Sequence, residues 1–164
     1  MKRIAVLLSM LMLLLSVAHA DEALTSKLEA RKVIVAKNGS EVLMPTKRVQ
    51  QNDVVEYRSV YRNEGKQVLH DIAATLPIPA GFEFIEAHAA GALASVDGQT
   101  FAPMPLTRVV KTENGEQVKL VPLSEYRFLR WHLGDLAPGA RASVSARVRL
   151  SSESAVVAVA ATSP

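Results

Sequence analysis

The chain contains no cysteine. Disulfides, thiol nucleophiles and cysteine-ligated zinc are therefore excluded together. Aromatic side chains are scarce, with one tryptophan, three tyrosines and four phenylalanines among 164 residues, which leaves little surface for stacking on sugars. No run of lysine and arginine occurs, so the electrostatic footprint of a nucleic-acid binder is missing. Helical patterning is also poor. The alanine-rich stretch from Ala87 to Ser95 is short and carries Gly91 in its middle, and it reads as a loop or a single turn. No internal repeat is visible.

The beginning of the chain is different. Met1-Lys2-Arg3 supplies a positive start, and an apolar run from Ile4 to Val17 is broken only by Ser9 and Ser16. Ala18-His19-Ala20 then places small residues at the two positions that a signal peptidase reads, Ala18 and Ala20, with the cut expected before Asp21. The apolar run is shorter than the about 20 residues a spanning helix needs, and no stop-transfer pattern follows it. A cleaved secretory signal over 1–20 is expected rather than an anchor. The expected location is outside the cytoplasm, in the periplasm or beyond the cell, with no integral membrane segment after cleavage. No cysteine stands at the cut, so lipid attachment there is excluded.

Removing residues 1–20 takes away Lys2 and Arg3, so the formal charge of +3 falls to +1. A nearly balanced surface again argues against nucleic acid. What remains has the length of one domain and can bury a real core without disulfides. Period-two alternation dominates it. Val55, Tyr57 and Tyr61 share one strand face, against Glu56, Arg58, Val60 and Arg62 on the other. Val68 to Leu76 reads as a strand that Pro77 and Pro79 must terminate, because a second proline cannot join the ladder. Phe82 to Ala87 resumes it. Leu129, Trp131 and Leu133 point inward from the next strand, with Arg130 and His132 outward. From Ala142 to Leu150, Val144, Ala146, Val148 and Leu150 alternate with Ser143, Ser145, Arg147 and Arg149.

Asn38-Gly39, Asp97-Gly98 and Asn114-Gly115 suit tight hairpin turns, where both central residues take positive φ. A two-residue loop at Asn38-Gly39 sets Val35 opposite Val42 and Val33 opposite Met44. The same arithmetic at Asn114-Gly115 sets Val109 opposite Leu120 and, unfavourably, Glu113 opposite Glu116. The expected fold is an all-β, immunoglobulin-like antiparallel β-sandwich over 21–150. The stretch 151–164 is expected to be a C-terminal tail or an added edge strand.

Three blocks resemble a known family. Tyr57-Arg58-Ser59-Val60-Tyr61-Arg62-Asn63-Glu64-Gly65 is similar to the strand and N-x-G turn of the bacterial conserved repeat domain, an uncharacterised, immunoglobulin-like family of cell-envelope proteins. Leu76-Pro77-Ile78-Pro79-Ala80-Gly81-Phe82 is similar to its LP-x-G segment. Trp131-His132-Leu133-Gly134-Asp135-Leu136-Ala137-Pro138-Gly139 is similar to its W-x-LG-x-L-x-x-G segment. The blocks run in the family's order between Val54 and Leu150. The family often occurs as tandem repeats in surface proteins. Here a single copy stands alone, and the stretch from Ala87 to Phe128 is longer than a minimal copy. The resemblance implies an envelope-contact role and brings no catalytic residues. Read without the family, Asn63-Glu64-Gly65 is a turn whose Asn and Gly tolerate left-handed backbone, and Trp131 fills the core between sheets.

Catalytic signals are weak. No G-x-S-x-G elbow and no H-x-H or H-E-x-x-H spacing is present. His70 and Asp71 are adjacent on a strand and point to opposite faces. His88, His132 and Glu86 are the one arrangement that would bind a metal if strands brought them together, and Glu83 with Glu86 the one carboxylate pair for glycoside chemistry. Neither has spacing to support it, so no catalytic, metal or cofactor residue is assigned. The arginines form the more suggestive set. Arg58, Arg62, Arg130, Arg147 and Arg149, with Phe128, make a candidate basic binding face if their strands are neighbours. The competing account is an ordinary solvated sheet face balanced by Glu56 and its neighbours. The expected function is non-enzymatic contact with a protein or envelope component. The alternative is a carbohydrate- or small-ligand-binding module using Tyr126, Phe128 and Phe101.

Overall fold

The computed structural model describes residues 23–45 and 47–151, and the backbone of 157–158. The expected signal segment with Ala18, Ala20 and Asp21, and most of the 151–164 tail, lie outside the described residues. Along the chain run β1 (Leu24–Val35), β2 (Glu41–Pro45), β3 (Arg48–Val49), β4 (Val54–Asn63), β5 (Leu69–Pro77), β6 (Phe82–His88) and β7 (Leu93–Ser95). They are followed by β8 (Ala102–Pro103), β9 (Thr107–Thr112), β10 (Gly115–Leu120), a 3-10 turn at Leu123–Glu125, β11 (Phe128–Leu136), β12 (Arg141–Leu150) and β13 (Val157–Ala158). Among the described residues no helix is long and apolar enough to cross a membrane.

The strands form an antiparallel β-sandwich. One sheet has the order β2-β1-β4-β12-β6 and the other β5-β11-β7-β8. The alternation explains how they meet. Val55 and Tyr57 of β4, Val144, Ala146 and Val148 of β12, and Phe82 and Phe84 of β6 face inward from the first sheet. Ala74 and Leu76 of β5, Ala94 of β7, and Leu129 and Trp131 of β11 face them from the second. Each large apolar side chain fully removed from water contributes about 1.5–3 kcal/mol, so this shared layer holds the sheets together. Burial of its phenol pushes the pKa of Tyr57 up to about 12. Two small ribbons stand apart from the main sheets: β9 pairs with β10, and β13 pairs with β3, Val157 opposite Val49.

Both Asn-Gly hairpins turn one step away from the expected place. At the first, the Gly39 N–H donates to the Ala36 carbonyl at 2.9 Å and the Ala36 N–H to the Ser40 carbonyl at 2.8 Å. Lys37-Asn38-Gly39 therefore forms a three-residue loop with only Gly39 at positive φ (+82°). This is a type I turn followed by a left-handed glycine. It sets Val35 opposite Glu41 and Val33 opposite Leu43 rather than opposite Val42 and Met44. At the second, Glu113 and Asn114 make the turn and Gly115 (φ +103°) opens the return strand. Val109 therefore faces Val118, not Leu120, and Glu116 faces Lys111, which removes the expected clash with Glu113.

Asn63 and Gly65 also work differently from a left-handed turn, since neither has positive φ. Asn63 is fully buried, and its side-chain amide donates to the carbonyls of Gln67 (2.7 Å) and Leu136 (2.8 Å) while its side-chain oxygen accepts from the Gly65 N–H (2.9 Å). Its backbone adds a bond from the Gly139 N–H at 2.8 Å and one to the Ala140 carbonyl at 3.1 Å. One side chain thus ties the end of β4 to the β11–β12 connection. A Cβ on Gly65 would lie 2.9 Å from the Ala23 Cβ, so the glycine serves close approach. The double-proline segment turns out of the sheet as expected: β5 ends at Pro77, the Phe82 N–H closes a turn onto the Pro79 carbonyl at 3.1 Å, and Gly81 takes φ +83°.

Candidate functional site

The arginine face divides between the two sheets. Arg58 and Arg62 lie on β4, Arg147 and Arg149 on the adjacent β12, and the register places Arg147 beside Glu56 and Arg149 beside Val54 on the outer surface. Phe128 and Arg130 belong to β11, which pairs with β5 and β7 in the other sheet. The six residues therefore do not form one stripe. Alternation shows which side of a strand a residue occupies but not which sheet the strand joins.

Nor is the β4–β12 surface simply basic. Arg147 is only 18% exposed and sits among three carboxylates, with contacts of 2.6 Å to Glu41, 3.0 Å to Glu86 and 3.6 Å to Glu56. Hydrogen bonding to Glu41 holds its guanidinium above the ordinary value against the cost of burial, with the charges of Glu86 and Glu56 adding to the effect. Glu56 is buried and also holds Arg58 at 3.0 Å, and Arg62 pairs with Glu64 at 3.2 Å. On β1, Glu29 lies between Lys27 (3.0 Å) and Arg31 (2.9 Å), and hydrogen bonding to Lys27, then Arg31, draws its carboxyl below the usual range. Opposite charges interleave across this sheet, which is the balanced solvated face weighed against the binding stripe.

Arg130 and Phe128 have local tasks. The Arg130 guanidinium carbon stands 3.6 Å from the centre of the Phe101 ring, and its Nε donates to the Thr75 hydroxyl at 3.2 Å. The Phe128 ring packs beneath Gly98, where a Cβ would come within 2.8 Å of it. Gly98 belongs to a turn organised by Asp97, whose carboxylate accepts from the Thr100 N–H (2.9 Å), the Gln99 N–H (2.8 Å) and the Ser95 hydroxyl (2.8 Å). Those donors, Thr100 first, hold the Asp97 carboxyl below the usual range. Tyr126 is wholly buried, stacked on Phe84 at 5.6 Å between ring centres. It is a core residue and gives a sugar no surface, which corrects the expectation that it was exposed.

The mature histidines fall in separate places. His88 is on β6 of one sheet and His132 on β11 of the other. His88 faces its own neighbour Glu86 at 3.5 Å, and Arg147 also holds Glu86. A bulge where Asp71 (φ +53°) and Gly134 (φ +70°) take left-handed backbone shifts the β5–β11 register. It places His70 Nδ1 2.8 Å from Asp135 and His132 3.8 Å from Asp71, all four side chains largely exposed. Hydrogen bonding to His70 draws the Asp135 carboxyl below the usual range, with the Asp71 N–H adding to it. Among the described residues no group of three or more acidic or histidine side chains is placed to hold a metal ion.

The hairpin expected around Asn114-Gly115 forms, but it stands outside the sandwich. The β9–β10 hairpin pairs with neither main sheet. Residues facing the same way along it are Thr107 with Leu120, Val109 with Val118, and Lys111 with Glu116. Val109 is 62% exposed, Val118 71% and Leu120 66%. The ribbon is rooted firmly. Buried Leu106 and Val121 bracket it, joined by a 2.9 Å bond from the Val121 N–H to the Leu106 carbonyl. The Leu106 N–H donates to the Tyr126 hydroxyl at 2.8 Å, and Arg108 grips Glu125 with two bonds of 2.6 and 2.9 Å. Leu106, Val121, Val96 and Ala102 line a cleft of about 200 Å³ beside this root. The signal in the sequence was the Asn114-Gly115 turn inside the long stretch between Ala87 and Phe128.

Fold and surface together define an antiparallel β-sandwich that carries a free, partly apolar ribbon. Compared with models of protein families, with curated proteins and with solved structures, the chain matches none.

Proposed function

We propose that this chain is an exported, non-enzymatic β-sandwich that works by contact with a protein or envelope component, and that the β9–β10 ribbon makes the contact. The observation that carries the reading is the apolar row Val109, Val118 and Leu120, exposed on a ribbon whose strands, among the described residues, pair only with each other. Exposed apolar rows of this kind mark interaction surfaces, and an unpaired strand edge accepts another strand. The export signal expected over 1–20 supports a location in the periplasm or outside the cell. The three blocks that resemble the bacterial conserved repeat domain support the envelope side of the reading. They also divide the work: Asn63 of the first block bonds to Leu136 and Gly139 of the third, so the blocks build the frame, while the ribbon lies in the long stretch between them. The carbohydrate-binding alternative has less support, because Tyr126 is in the core.

The test is retention of the purified protein by envelope fractions, wild type beside Val118→Asp. Retention that the substitution weakens supports the reading. A protein that stays free in every fraction, or a variant retained as well as wild type, refutes it.

A further inference from the structure

We infer that the ribbon's apolar face takes a second copy of this chain, pairing face to face about a two-fold axis that runs along the ribbon. The inference rests on the reading of the ribbon as a contact element and names the partner. Its basis is the order of side chains on that face. From root to tip the rows are Thr107 and Leu120, then Val109 and Val118, then Lys111 and Glu116. A two-fold contact requires one patch to be complementary to itself. An axis along the ribbon exchanges the two strands, so each β9 residue lies over the β10 residue of its own row in the other copy. Val109 then covers Val118 twice over, and Thr107 covers Leu120.

The charged row decides in favour of this pairing. Lys111 of each copy falls over Glu116 of the other, giving two opposite-charge contacts and no like-charge one. Among the described residues these two side chains form no ion pair within the chain, although they stand directly across the ribbon from each other. Their charges are therefore free to meet a partner's. An axis across the ribbon would instead place Lys111 over Thr107 and Glu116 over Leu120, leaving both charges unmatched against desolvated neighbours. The root supports the contact as well, since the Tyr126 and Glu125 bonds fix the ribbon's base before any partner arrives. Six residues per strand offer less than the about 800 Å² per partner of a standard interface. The pairing is accordingly weak and concentration-dependent, suited to copies held close together at a surface.

The experiment uses protein expressed from the full chain and purified in the form the host leaves it, with sedimentation equilibrium at low ionic strength. Wild type is measured beside Lys111→Glu, Glu116→Lys and an equimolar mixture of the two variants. Both substitutions are on exposed positions, and circular dichroism checks that each variant folds. Wild type associates in the sub-millimolar range. Each single variant turns both attractive contacts into repulsive ones and loses about tenfold in association, given the modest strength of each exposed pair. The mixture recovers the loss, because an all-acidic row meets an all-basic one. A wild type that stays monomeric overturns the inference, as does a mixture that associates no better than either variant alone. A monomeric protein that envelope fractions still retain through Val118 overturns only the choice of partner and points to a different one. A monomer that nothing retains removes the contact reading too.

Discussion

Strand β12 and the β9–β10 ribbon each carry a row of apolar side chains on one face, yet one row is covered and the other is not. Val144, Ala146, Val148 and Leu150 of β12 are all buried, because β11 and its neighbours lie across that face. Val109 of β9 and Val118 and Leu120 of β10 share one face of the ribbon and remain largely in water, because among the described residues no sheet lies over them. Period-two patterning reports that a strand has an apolar side. Whether anything packs on that side depends on the layer above, and here the difference separates the part of the molecule that holds it together from the part left open to solvent.

The sharpest way to test that separation is to remove volume from each region. Trp131→Ala, which empties the layer between the sheets, is expected to cost about 3–5 kcal/mol in chemical denaturation. Equal stability of this variant and wild type would contradict the packing described. Asn63→Ala comes next. It strands the buried Leu136 carbonyl and the Gly65 N–H, at an expected cost of about 1–3 kcal/mol. An Asn63→Ala protein as stable as wild type would show that the connection between the first and third sequence blocks is not needed.

Tyr126→Phe probes the boundary between the regions. It removes the hydroxyl that accepts from the Leu106 N–H and leaves that N–H unpaired, costing about 1 kcal/mol, and it should speed amide exchange in β9 more than in β12. Uniform acceleration across both strands would mean that the hydroxyl does not anchor the ribbon. The Asp97 turn gives a pH-dependent contrast. Its carboxyl is depressed in the folded chain by the Thr100 and Gln99 N–H groups and the Ser95 hydroxyl, so its stabilisation is present above the unfolded value of about 3.9 and is lost as pH falls through the folded value. Asp97→Asn should therefore be less stable than wild type at neutral pH, and the gap should close in acid. A gap independent of pH would contradict this account. The smallest effect belongs to the ribbon itself: Val118→Thr should change stability by less than about 0.5 kcal/mol. A loss comparable with that of Trp131→Ala would place Val118 in a core.

These contrasts also mark how far the sequence carries. Leu129, Trp131 and the β12 residues were legible because side chains alternate strictly along an extended backbone. The hairpin registers were missed because an Asn-Gly pair fits two turns: one with both residues central, and one with Gly alone in the left-handed position after the turn. The chain uses the second at Gly39 and Gly115. Asn63 had the composition of a turn former, but its role depends on the Leu136 carbonyl, 73 residues away and beyond the reach of local pattern. The sequence does not assign strands to sheets, so it does not separate Arg130 and Phe128 on β11 from Arg58 and Arg147 on β4 and β12. The ribbon's exposure was hidden for a related reason, since its valines look like any others until the sheet order leaves them uncovered.

Amide hydrogen exchange of the protein, free in dilute solution and bound to an envelope fraction, distinguishes an uncovered contact ribbon from a packed one. In the free protein β9 and β10 are expected to exchange far faster than β4 and β12, and on binding the ribbon's amides are expected to slow while those of β4 and β12 do not change. A ribbon as protected as β12 in the free protein, or a bound protein whose ribbon exchanges as fast as before, would contradict these expectations.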